Sequence, residues 1–167
     1  MHNSYYNPEF WEVPEEDQKL PDFEKIDRAM DRAIRFAQNQ YKNVSAYVKR
    51  IDSTKTVHIG ESGWASASNC FYGSDYSNAA DEYKAGEYYR RMRTWTNEAH
   101  ISLFYFEIFD EQWKDSANPG GSENHFGLIN LEGQAKYALW DWVDKGVFYG
   151  LKRDGKTITK THSGNFR

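Results

Sequence analysis

Six residues, Ile101-Ser102-Leu103-Phe104-Tyr105-Phe106, form a nearly unbroken apolar run of branched and aromatic side chains. A strand with one wetted face alternates apolar and polar positions. A strand apolar on both faces belongs to a parallel sheet covered on both sides. Parallel strands need a crossover between them, usually a helix. The chain supplies one: over residues 79–99, Ala80, Tyr83, Tyr88, Met92 and Trp95 recur on one helical face. Before it, within Thr56-Val57-His58-Ile59-Gly60, residues 57–60 read as a second buried strand. Further upstream Asp22 is suited to cap a long helix. There Phe23, Ile26, Met30, Ala33, Ile34, Ala37 and Tyr41 repeat at steps of three and four, and the phase runs on through Val44, Tyr47 and Val48. Residues 134–143 predict a last, short helix. The order helix, strand, helix, strand, helix, with a long loop after each strand, predicts an α/β fold of βα units.

The chain's 167 residues set a prior of one domain. A domain of that size buries roughly two-thirds of its unfolded surface. A net charge of −4 argues against binding nucleic acid by counterion release. No run of about 18 apolar residues predicts a membrane span. The first residues lack the basic and apolar regions of a secretion signal. A single cysteine, Cys70, excludes an internal disulfide. Residues 1–21 read as a loop broken by Pro8, Pro14 and Pro21, with Tyr5, Tyr6, Phe10 and Trp11 as aromatic anchors. Residues 150–167 are basic and polar and predict a frayed tail.

The residues suited to chemistry fall in the loops after the strands, where α/β folds gather their sites. Glu61 follows the first strand, flanked by Gly60 and Gly63, which let a ligand approach, and by Trp64. Glu107 interrupts the apolar run 104–109, where a charge is costly unless paired. Asp110, Glu111 and Lys114 follow at the mouth of the second strand, and a lysine there keeps neighbouring carboxylates ionised. Asn97-Glu98 precedes a strand rather than ending one, which places it at the opposite end of the sheet. His58, His100 and His125 lack the spacing of a metal site. Aromatic residues make up 17% of the chain, enough for both a ring-built core and a ring-lined cleft.

Ile59-Gly60-Glu61-Ser62-Gly63-Trp64-Ala65-Ser66 resembles the nucleophile motif of glycoside hydrolase family 17, the β-1,3-glucanases and related enzymes. A second stretch resembles the same family's eighth-strand segment: Phe106-Glu107-Ile108-Phe109-Asp110-Glu111-Gln112-Trp113-Lys114, then Glu123-Asn124-His125-Phe126-Gly127-Leu128. Order and spacing agree. The resemblance implies a (β/α)8 barrel and a retaining mechanism. It implies Glu61 as nucleophile at the end of the seventh strand, with Glu111, Lys114 and Glu123 as a supporting polar cluster. Glu107 would line the cleft beside Glu61. Trp64 and Trp113 would be sugar-contacting rings, and Tyr5-Tyr6-Asn7-Pro8 would belong to the loop after the sixth strand. Ala65 stands where the plant motif has proline.

The departure from the family is one of extent. A complete barrel takes about 250 residues. The expectation is therefore the C-terminal part of a barrel, about strands seven and eight with flanking helices, over residues 1–148, with 149–167 as a polar basic tail. The family's general acid lies on the fourth strand and has no match here, so the isolated chain is expected to be inactive. The implied ligand is a β-1,3-glucan and the implied partner is the missing N-terminal barrel segment. Neither metal nor organic cofactor enters this chemistry. The resemblance also implies a secreted, cell-wall or periplasmic setting. Glucan transglycosylation through the same intermediate is one competing reading. A non-catalytic carbohydrate-binding or degenerate barrel domain is the other.

Overall fold

A computed structural model describes residues 13–71 and 79–166. Tyr5 and Tyr6 lie outside the described residues. Helix α1 spans Asp22–Ile51 and turns Ala29, Met30, Ala33, Ile34 and Ala37 to the core at helical spacing. Its cap position is held by Pro21 in an extended conformation, with no side-chain cap. Asp22 is instead the first helical residue and pairs with Lys25 at 3.1 Å. The helix entry is fixed by buried Asp17, whose two carboxylate oxygens take Arg28 at 2.8 Å and Arg32 at 3.2 Å. Asp52 ends it, adopting extended backbone and accepting from the Thr54 amide at 2.9 Å.

Strand β1 covers Ile59–Ser62, two residues later than the apolar pattern predicts, so Glu61 lies within the strand. The chain returns through α2, Glu82–Glu98, capped by the Asp81 carboxylate accepting from the Lys84 amide at 2.9 Å. It then enters β2, Leu103–Tyr105, which pairs parallel with β1. This is one βαβ unit. Ile59, Trp64, Ala65 and Phe126 pack with the buried faces of α1 and α2 in the main core.

The helices cover one face of the β1–β2 sheet. Leu103 and Tyr105 face them, whereas Phe104 between them is 69% exposed. The apolar run therefore belongs to a strand with one face bare among the described residues, not covered on both sides. The pattern reports what the strand is made to bury, and the described chain buries half of it.

The predicted helix over 134–143 is resolved into three pieces. These are β3 (Gln134–Ala135), a 3₁₀ turn (Tyr137–Leu139) and the short helix α3 (Trp140–Asp144). The last segment is not frayed. β4 (Lys152–Arg153) and β5 (Lys156–Thr157) form a hairpin around Asp154-Gly155, both in the left-handed region such turns require. β6 (Thr159–Lys160) then pairs parallel with β3. Ile158 is buried with Ile129, Ala135, Ala138 and Leu139 in a second cluster. The buried Ile158 and the Asp-Gly turn help to tie down a segment whose composition reads as solvated.

Candidate active site

Glu61 owes its placement to an irregularity in β1, whose register against β2 shifts between Ile59 and Ser62 and so breaks the strict alternation of a strand. Ile59 and Ser62 are buried on the helix side, and the Ser62 hydroxyl lies 2.9 Å from the Tyr88 hydroxyl on α2. Gly60 and Glu61 are exposed on the face the helices leave bare. Among the described residues no hydrogen bond or ion pair engages the Glu61 carboxylate. An exposed carboxylate with free lone pairs, fixed by a strand at its C-terminal end, is available to a ligand.

The next strand brings a second group of charges alongside. At Gly63 an added Cβ would stand 1.9 Å from the Phe106 carbonyl oxygen, so only glycine allows the β1 end to approach the β2 end this closely. Glu107 follows that carbonyl. Its Oε2 is ion-paired to Lys114 Nζ, and Lys114 also reaches Glu111 at 3.1 Å. The same ammonium sits 4.0 Å from the centre of the Phe106 ring. Burial pushes the Glu107 carboxyl up, with Lys114 opposing and Glu111 adding to the rise. Burial pulls the Lys114 ammonium down, but hydrogen bonds to Glu107 and Glu111 outweigh it and leave it above its usual value. The Glu107 charge in the apolar run is thus paired, as its cost requires. Its second oxygen, Oε1, is buried with no hydrogen-bond partner among the described residues.

The two tryptophans separate. Trp113 is 73% exposed beside Lys114 and remains available as a ring platform. Trp64 is 1% exposed, so it cannot be a sugar-contacting ring. Its indole donates to the Ala79 carbonyl at 3.0 Å and its ring lies 5.2 Å from that of Tyr88. Its work is to anchor the loop after β1 to the core. Glu123 is half-buried in a 3₁₀ turn, Ser122–Asn124. Asn97 and Glu98 are exposed in the last turn of α2, at the entry to β2 and away from Glu61.

Asp110 is 2% exposed and is structural. It accepts from Lys136 Nζ at 2.7 Å and from the Gly127 amide at 2.9 Å. Lys136 escaped the sequence reading. It is 5% exposed and also donates to the Ser66 hydroxyl at 2.6 Å, so it joins the loops after both strands. Burial holds its ammonium below the usual value despite Asp110. The signal for it was there: a lone charge in Ala135-Lys136-Tyr137-Ala138-Leu139, the same kind of interruption that marks Glu107. Asn124, fully buried, was missed as well. Its amide donates to the Asp115 and Asn118 carbonyls, both at 2.9 Å, and sets the shape of the loop that carries Trp113 and Lys114.

The family model "Glycosyl hydrolases family 17" matches residues 42–140. A glucan 1,3-beta-glucosidase from Arthroderma benhamiae is 34% identical over 93 residues, covering 51% of this chain and 28% of that protein. The crystal structure of an endo-laminarinase from Formosa Hel1_33_131 superposes with a TM-score of 0.88 at 54% identity, covering 98% of this chain and 42% of the other. A Rhizomucor miehei beta-1,3-glucanosyltransferase, an active-site mutant solved with laminaritriose, gives a TM-score of 0.51 at 27% identity over 65% of this chain and 36% of that one. The chain therefore spans less than half the length of these relatives, and it is a partial piece of a TIM-barrel fold. It belongs to glycosyl hydrolase family 17.

Proposed function

We propose that residues 1–148 supply the seventh and eighth strands, with their helices, of a retaining β-1,3-glucan hydrolase, and that Glu61 is its nucleophile. Residues 149–167 would close that part of the domain. In this reading Glu61 attacks the anomeric carbon, and the bond to the leaving oxygen breaks as a carboxylic acid elsewhere in the barrel protonates it. The same acid, now a carboxylate, takes a proton from water, which displaces Glu61 and restores the free carboxylate. The acid and Glu61 stand about 5–5.5 Å apart in such mechanisms. Glu111, Lys114 and Glu123 would bind and polarise the sugar hydroxyls, Glu107 would hold Lys114, and Trp113 would stack on a sugar ring. Tyr5 and Tyr6, outside the described residues, would contribute further substrate contacts. The acid belongs to βα units outside this chain, so the isolated 167 residues should not hydrolyse laminarin.

One observation carries the proposal: Glu61 is unpaired among the described residues and lies on the sheet face that the helices leave open. The likeness to a glucanosyltransferase keeps sugar transfer as a second reading, because both reactions share the glycosyl-enzyme. Product analysis at high acceptor concentration separates them.

The role of Glu61 is tested by grafting this chain into the endo-laminarinase in place of the part it matches, then introducing Glu61→Ala. Laminarin hydrolysis should fall roughly 10³-fold or more. With a dinitrophenyl β-glycoside, whose leaving group needs no acid, added azide should restore turnover and give the α-glycosyl azide. A β-glycosyl azide, or undiminished hydrolysis, would remove Glu61 from the nucleophile role.

A further inference from the structure

We propose that the C-terminal segment, residues 152–166, is a clamp that positions the candidate site, and that Arg153 is its positioning residue. The inference rests on the reading above that Glu107, Glu111 and Lys114 belong to the site. The family match ends at residue 140, so the clamp lies outside what that model describes.

Beyond Phe106, whose amide still donates to the Ser62 carbonyl at 2.9 Å, the strand leaves its pairing with β1. The backbone of residues 107–110 pairs instead with 126–129. The Glu107 amide donates to Phe126, Leu128 donates to Glu107, Ile129 to Ile108, and Asp110 to Ile129, at 2.9–3.3 Å. The site residues thus hang on a short irregular ladder rather than on the sheet. Arg153 grips the end of that ladder from both sides. Its Nη1 donates to the Ile129 and Asn130 carbonyls at 3.0 Å each, and its Nη2 donates to the Asp110 carbonyl at 2.7 Å. The guanidinium also lies 4.6 Å from the centre of the Phe109 ring. A planar head with donors in a fixed fork suits three converging carbonyls, whereas a lysine ammonium on a flexible stem does not. The next residue after Asp110 is Glu111, which binds Lys114, which binds Glu107.

Arg153 is itself held at both ends of the segment. On one side is the Asp154-Gly155 hairpin. On the other, Ile158 is buried, and the Thr161 hydroxyl donates to the Glu82 carboxylate and accepts from the Trp140 indole at 3.1 Å. Phe166 stacks on Trp140 with ring centres 4.8 Å apart. A residue anchored on a fixed element and spent on backbone carbonyls transmits rigidity rather than chemistry. Arg153 touches no candidate reacting group.

The test compares the 167-residue chain with its Arg153→Ala and Arg153→Lys variants by hydrogen exchange and by ¹³C titration of the Glu107 and Glu111 carboxyls. Arg153→Ala should speed exchange of the amides at 107–115 about tenfold or more, with the α1 and α2 amides unchanged. The Glu107 midpoint, held up mainly by burial, should fall toward the ordinary carboxylate range as the segment opens. Arg153→Lys should lie between, because it keeps the charge and loses the fork. Unchanged exchange at 107–115 overturns the proposal. So does an increase spread evenly over the helices, or a lysine variant identical to wild type. The azide rescue at Glu61 uses no residue of the clamp, so failure of one reading does not mimic failure of the other.

Discussion

At the scale of single residues, the same side-chain type takes opposite roles according to which face it lands on. Trp64 and Trp113 look alike in sequence, each beside a candidate carboxylate. Trp64→Ala should cost about 3–5 kcal/mol of stability, the usual range for deleting a fully buried large ring, in chemical denaturation. Trp113→Ala should stay within about 0.5 kcal/mol and instead weaken laminari-oligosaccharide binding in the grafted enzyme. Glu107 and Lys114, both largely buried, form the other informative pair. Lys114→Met leaves the Glu107 charge without its cation and should cost about 3–5 kcal/mol. Glu107→Gln with Lys114→Met should cost less than the two single changes summed. The pH dependence carries two signs. Lys114 is raised above its ordinary 10.5, so its contribution is complete below that pH and is lost as pH rises through the folded value. Glu107 is raised above its ordinary 4.5, so the folded state binds its proton more tightly and stability declines as pH climbs from 4.5 through the folded value. Urea midpoints measured across both windows should show both slopes in the parent chain and neither in the double variant. The sequence displayed Glu107 because it breaks an apolar run, and Lys114 because it follows in the charged stretch after that run. It gave no sign of which way Trp64 faces, since that depends on a β1 register two residues later than the apolar pattern implies.

At the scale of elements, periodic pattern was a reliable guide where segments were long and a poor one where they were short. α1 and α2 fall where three- and four-residue spacing puts them, because a 17- or 30-residue helix averages its signal over several turns. β1 and β2 have four and three residues, too few for period two to fix a register. The C-terminal strands have two residues each; the local Asp154-Gly155 turn decides β4 and β5, and pairing with the distant β3 decides β6. The junction of β1 and β2 is set by Gly63 rather than by any side chain. Gly63→Ala would drive a methyl group into the Phe106 carbonyl, a backbone atom that cannot swing aside. It should destabilise the chain by roughly 1–3 kcal/mol or more, as overpacking does. The same substitution at Gly60 meets only the His58 ring at 4.0 Å and should be nearly neutral by comparison. Thermal melts of the two variants side by side make the comparison.

At the scale of the molecule, the described residues form one covered face and one bare face. Phe104 and Glu61 lie on the bare one, and an apolar groove lined by Leu103, Phe104, Ile108, Leu128, Trp142 and Phe148 runs beside β2. Surface of this kind is what further βα units cover in a closed barrel, and the chain spans 42% of the endo-laminarinase it superposes on. The motifs around Glu61 and Glu107 made the family legible, because they combine residue type, order and spacing. The second half of the chemistry was not legible, because the general acid of the proposed mechanism has no motif match in these 167 residues. The central claim is that Glu61 forms a covalent bond to the sugar, and one measurement bears on it directly. The grafted enzyme is incubated with a 2,4-dinitrophenyl 2-deoxy-2-fluoro-β-laminaribioside, which forms a glycosyl-enzyme readily and releases it slowly, and is then digested for peptide mass spectrometry. The account predicts stoichiometric inactivation with the fluorosugar attached to Glu61; a label on any other carboxylate, or inactivation without a label, would contradict it.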